Sequence, residues 1–173
     1  MLKLGLESGD QDVLNSLHKG TNLTEASLAL KTLKRAGIAT YVYLLFGTLA
    51  EDVSAAKKTR DFVVAHNNDI DFLNLAIFNL PVYGPEVKNT DVKSFYEGDL
   101  SLYADFSHPR GWDRIQVREF LDKEFTRHPA IASIMRREPP FFTSNHAPFF
   151  VAKKQHSFDS PSPLPYKGFK DCL

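Results

Sequence analysis

Three apolar runs, at residues 2–7, 38–46 and 70–78, are separated by two stretches of helical period, and that alternation restricts the fold more than any other feature of the chain. The run at 38–46 is rich in β-branched and aromatic residues with little polar alternation, the pattern of a strand buried on both faces. Ahead of it Leu23, Ala26, Leu30 and Leu33 recur at intervals of three and four, Asn22 stands where a cap belongs and Glu25 at the third helical position, so a helix is predicted over 23–36 that Gly37 closes. After it Val53, Ala56, Phe62 and Val63 line one face of a second helix over 52–66, with Asp52 as its cap and Asn67-Asn68 as its end. The order strand, helix, strand, helix, strand implies right-handed crossovers and a parallel sheet with strands near 2–6, 39–46 and 71–78. Three strands this hydrophobic need cover on both faces and belong to a larger sheet. The expected fold is therefore α/β, a partial (β/α) barrel of the TIM type.

The rest of the chain is less regular. Ser8 and Gln11 have capping-box spacing for a short helix through Leu17, with Gly20 as a left-handed stop. From Gly84 the chain reads as polar loop until Trp112. Residues 113–127 then read as an amphipathic helix, with Asp113 and Gln116 at capping-box spacing and Ile115, Phe120, Leu121 and Phe125 apolar. Pro129 opens another helix to about Arg137. Phe141, Phe142, Phe149, Phe150 and Val151 read as a short closing strand or hairpin, and residues 153–173, which include Ser-Pro-Ser-Pro, as a mobile tail. The expected division is a partial barrel over 1–86, a helical extension over 87–152 and the tail over 153–173.

Composition narrows the function classes. Lys plus Arg and Asp plus Glu both total 21, so no global field draws nucleic acid or an acidic membrane, although a local basic patch stays open. No apolar run approaches the roughly 20 residues of a membrane span and no signal peptide is visible, so the expected setting is cytoplasmic. Cys172 is the only cysteine, which excludes an internal disulfide. It reads as an inert terminal thiol and does not complete a prenylation box.

In parallel strand-helix folds the strand C-termini and the loops after them build the ligand site. Glu7, Ser8, Gly47, Thr48, Glu51 and Asn79 all fall at that edge. Gly5 and Gly9 allow close backbone approach, Glu7 can accept hydrogen bonds from a ribose diol or an amine, and open strand-end amides can pair with a purine edge. The plainer alternatives are that Gly47 only makes a turn, that Glu51 only favours a helix start and that Asn79 only forms a turn. The six histidines show no metal-ligand spacing, and neither a serine nucleophile elbow nor a phosphate loop occurs. Arg110-Gly111-Trp112 and Arg136-Arg137 read either as substrate or partner contacts or as a solvated loop and a basic helix end.

Taken together, Gly5-Leu6-Glu7-Ser8-Gly9, Gly47-Thr48-Leu49-Ala50-Glu51 and the stretch from Asn74 to Pro81 resemble, in order and spacing, the fourth, fifth and sixth strands of radical S-adenosylmethionine (radical SAM) enzymes, over residues 2 to about 86. The resemblance implies the second half of a (β/α)6 barrel. It assigns Glu7 and Ser8 to the cofactor's ribose or amino group, Gly47 and Glu51 to the adenosine turn, and Asn79 to the adenine edge. Leu49 and Ala50 replace the family's usual proline and glycine. The family also needs a Cys-x-x-x-Cys-x-x-Cys loop whose three thiolates hold a 4Fe-4S cluster, and this chain has none. The expectation is a truncated member of the family that cannot cleave S-adenosylmethionine alone. The resemblance leaves open the substrate, an upstream cobalamin domain and the oligomeric state. Two other classes also stay open: a non-catalytic interaction module that self-associates through an exposed sheet edge, and an unrelated phosphate-binding (β/α) barrel enzyme.

Overall fold

A computed structural model describes residues 1–93, 102–137, 145 and 147–156. The chain is mixed α/β, built on a three-stranded parallel sheet of β1 (Leu2–Glu7), β2 (Thr40–Phe46) and β3 (Phe72–Ile77) in sequence order. Among the described residues the sheet does not close into a barrel. Each crossover carries a helix, α2 (Leu23–Arg35) between β1 and β2 and α3 (Val53–Ala65) between β2 and β3, as the apolar periods predict. Asn22 caps α2 by accepting from the N–H groups of Thr24 and Glu25, and Asp52 caps α3 by accepting from that of Ala55. Gly37, with φ of 70°, ends the first turn after α2 where a side chain would be strained.

The two faces of the sheet are covered differently. Val42, Leu44, Phe46 and Leu73 join Leu30 of α2 and Ala56 and Val63 of α3 in the main core. The same core takes in α4 (Arg114–Phe120), the π-helical turn at Leu121–Phe125 that continues it, and α5 (Pro129–Met135). In that turn Thr126 N–H donates to Leu121 O at 2.9 Å, five residues back, and this brings Phe120 and Phe125 onto one face. Both rings pack against Phe46, at centroid distances of 6.2 and 5.2 Å. On the opposite face Tyr41 and Phe72 stack at 5.9 Å and are covered by Ala147 and Val151 of α6 (Ala147–His156).

The strand starts are stitched by Asp71, which accepts from Thr40 N–H at 3.1 Å and pairs with Lys34 at 3.0 Å. After β3 the chain forms a small antiparallel pair, β4 (Leu80–Pro81) with β5 (Tyr103–Ala104), and a 3-10 turn at Pro85–Asn89.

Several expectations are corrected. The cap of α1 (Gln11–Ser16) is Asp10, which accepts from the N–H groups of Asp12 and Val13, because Ser8 is engaged elsewhere. Val53 and Ile115, placed by periodicity on apolar faces, are 45% and 69% exposed. The buried faces run instead through Ala55, Ala56, Thr59 and Val63 in α3 and through Val117 and Phe120 in α4. Residues 149–151 are helical, not strand, and α6 runs on into the predicted tail as far as His156. Phe141, Phe142 and residues 157–173 lie outside the described residues. No helix among the described residues is long and apolar enough to cross a membrane.

Candidate functional site

The parallel strands end side by side, and each passes into a polar turn. At the end of β1 the register slips between Gly5 and Glu7, and Glu7 takes a φ of 65°, in the left-handed region that costs a non-glycine residue free energy. The Glu7 carboxylate folds back over Gly5, where an added Cβ would stand 3.2 Å from Oε1. Lys19 Nζ lies 3.7 Å from the same oxygen.

Ser8 and Gly9 turn the other way, into the scaffold. Ser8 is buried, and its hydroxyl lies 3.2 Å from Thr59 Oγ1 on α3 while accepting from Asp10 N–H at 3.1 Å. Thr59 gives its own proton to Ala55 O at 3.2 Å and accepts from Gly9 N–H at 2.9 Å, so the Ser8 hydroxyl is the donor to Thr59. Gly9 packs so close to α3 that a Cβ would meet Thr59 Cα at 2.6 Å and Lys58 O at 2.9 Å. The close approach that the sequence predicts at Gly9 is thus made to the backbone of α3. Asp10 beside it is buried and paired with Lys58 at 2.6 Å. Burial alone would raise its carboxyl, but the Lys58 ammonium and the N–H groups of Val13 and Asp12 outweigh that and hold it below the usual carboxylate range.

The turn after β2 is built on a buried acid that has no cation beside it among the described residues. Gly47 has a φ of 78°, and a Cβ there would meet Val117 Cγ2 at 3.2 Å, so conformation and space both call for glycine. Glu51 is fully buried. Its Oε2 accepts from Gly47 N–H and, at 3.0 Å, from Trp112 Nε1–H, whereas among the described residues Oε1 has no hydrogen-bond partner and neither has the buried Thr48 hydroxyl. Desolvation pushes the Glu51 carboxyl up to about 7 against the two N–H donors, and the charges of Asp52 and Asp10 push in the same direction as burial. His108 locks the neighbouring loop. Its Nδ1 accepts from the backbone N–H groups of Arg110 and Trp112, each at 3.2 Å, which leaves the proton on Nε2 to be donated to Thr48 O at 3.0 Å.

A cavity of about 220 Å³ opens where this turn meets the end of β3, with Gly47, Phe78, Asn79, Phe106, His108 and Trp112 on its wall. Arg114, also on the wall, donates to Asn79 Oδ1. Of the residues predicted from sequence, Gly47 and Asn79 share this cavity and Glu51 lies beneath it, holding two of its walls. Glu7 and Ser8 belong to the neighbouring strand end and are not on its wall. His108 and Arg114 were missed, His108 because the stretch from Gly84 to Trp112 carries no period and Arg114 because the helix it opens was read for its apolar face. The one signal there was a lone tryptophan in Arg110-Gly111-Trp112.

The expectation of open amides at this edge is corrected for four of them. Four amides at the strand ends are paired within the chain: Ser8 N–H with Leu6 O at 2.8 Å, Gly9 with Thr59, Gly47 with Glu51, and Phe78 N–H with Phe46 O at 2.8 Å. A buried N–H without an acceptor is costly, so the chain satisfies these four groups itself, and they are not open to a purine edge. Among the described residues no three His, Cys, Asp or Glu side chains are grouped to hold a metal ion. Comparison with protein-family models, with curated proteins and with solved structures gave no match to this chain.

Proposed function

We propose that the chain is the adenosine-side half of a radical S-adenosylmethionine barrel, comprising its fourth to sixth strands, with a helical extension. The observation that supports this is the arrangement of β1, β2 and β3, which lie parallel in sequence order and end side by side in Glu7, in the Gly47 turn and ahead of Asn79. Glu7 then meets the ribose hydroxyls or amino group, Gly47 and Asn79 border the adenosine, and Glu51 fixes the turn from beneath. The 4Fe-4S cluster does not fit these residues, since it needs three thiolates and Cys172 is the chain's only cysteine. No step of reductive cleavage is assigned to the chain; that chemistry needs a cluster supplied from outside these 173 residues.

Calorimetry tests this. The chain should bind S-adenosylmethionine weakly, with Kd above about 10 µM, because only the adenosine contacts are present, and Glu7→Ala should weaken binding about threefold or more. Sub-micromolar affinity, or equal affinity in the two proteins, would count against it. After anaerobic reconstitution with iron and sulfide the chain should hold no stable four-iron cluster and form no 5'-deoxyadenosine.

A second reading, as an interaction module, draws on the outer edge of β1. Leu2 and Gly5 are exposed there, and among the described residues no strand pairs on that side. An apolar groove of about 250 Å³, lined by Leu4, Leu6, Ala26 and Leu30, runs beside it. A strand edge with no neighbouring strand among the described residues can take a strand from another chain. Sedimentation as a monomer at about 100 µM would dispose of self-association as weak as that concentration.

A further inference from the structure

The Glu51 carboxyl ties the turn after β2 to the loop before α4, alongside the His108 contact to Thr48 O, and both segments wall the same cavity. One oxygen carries both ties, and the other is buried with no hydrogen-bond partner among the described residues. The two N–H ties by themselves favour the carboxylate, but burial outweighs them, so the closed arrangement as a whole favours the acid with its proton on Oε1, and ionisation favours an opened one in which water reaches that oxygen. We propose that Glu51 is a proton-operated latch: uptake of a proton from solvent onto Oε1 seats Trp112 against the Gly47 turn, and its release to solvent loosens Trp112 and reshapes the cavity wall.

The surroundings favour this. Asp52, at the start of α3, and Asp10, ahead of α1, both oppose ionisation of Glu51, and each already has its own cation, Arg110 at 3.4 Å and Lys58 at 2.6 Å. His108, on the Trp112 loop, spends both ring nitrogens on the backbone. No cationic side chain is thus committed to Glu51 among the described residues, which is why burial pushes its carboxyl up to about 7, where small changes around neutral pH reverse its charge. The latch is independent of what the cavity binds.

Trp112 is the chain's only tryptophan, so its fluorescence reports on the latch directly. Emission of the wild-type chain followed from about pH 5.5 to about pH 8.5 should titrate with one midpoint near 7, and Glu51→Gln, which keeps an oxygen for both N–H donors but cannot ionise, should lose that transition. His108→Gln should retain it, which separates the acid from the neighbouring imidazole. Carboxyl carbon resonances of the glutamate-labelled wild-type chain supply a measurement that needs no variant, and one of them should titrate near pH 7. A flat wild-type emission curve, an unchanged transition in Glu51→Gln, its loss in His108→Gln, or glutamate midpoints all below about 5.5 would overturn the proposal.

Discussion

The turns after β1 and after β2 look alike in sequence, each an apolar strand running into a glycine and an acid, yet they are opposites in chemistry. In the first, Ser8, Gly9 and Asp10 are spent on α3: the hydroxyl on Thr59, the glycine against the helix backbone and the carboxylate on Lys58. In the second, Glu51 is just as deeply buried but holds only N–H donors, and the turn it supports forms part of a cavity. A cation beside a buried acid closes the question of its charge, and its absence leaves a group that can respond. The difference separates a turn that holds the fold from one that can take part in binding.

The contrast breaks first if Gly9 tolerates a side chain. Gly9→Ala drives a Cβ into the backbone of α3, which cannot yield as a flexible side chain would, and should cost ~3 kcal/mol or more in urea unfolding. Next comes pH, where the two acids act with opposite sign. Asp10, held below its ordinary value of 3.8, contributes stability that is lost as pH falls through that range. Glu51, raised from 4.5 to about 7, binds its proton more tightly when folded, so stability falls as pH rises between those values, by on the order of 3 kcal/mol. Glu51→Gln should flatten that descent and leave the acid limb intact, while Asp10→Asn should do the reverse; identical pH profiles would erase the distinction. Thr59→Val leaves Gly9 N–H and the Ser8 hydroxyl without their partner and should cost ~2 kcal/mol, with Trp112 emission unchanged. The smallest effect belongs to Asp113→Ala, which removes the capping box of α4 and should cost ~1 kcal/mol.

The strands and the two crossover helices were legible because they rest on period alone, and Asn22, Asp52 and Asp113 because a cap is local. What was not legible depends on distant partners. Ser8 and Asp10 are equally good caps by residue type, and Thr59, 51 residues away from Ser8, decides between them. The π-helical turn is set by the fit of Phe120 and Phe125 to Phe46, which no local pattern records. In α6 the aromatic and β-branched run favoured a strand; the contrary signal was Ala147 and Val151, four apart, the spacing that sets both on Tyr41 and Phe72. At the candidate site, the place of Gly47, Glu51 and Asn79 at strand ends was legible, but nothing in the sequence told the acid with a cation from the one without.

The central claim is that the edge formed by β2 and β3 receives the adenosine end of a ligand. Titrating the isotope-labelled chain with S-adenosylmethionine and following its amide and indole resonances tests this most directly. Shifts should gather at Gly47, Phe78, Asn79 and the Trp112 indole N–H, which wall the cavity at the strand ends. Shifts confined to the groove beside β1, at Gly20, Ala26 and Leu30, or none at millimolar ligand, would contradict it.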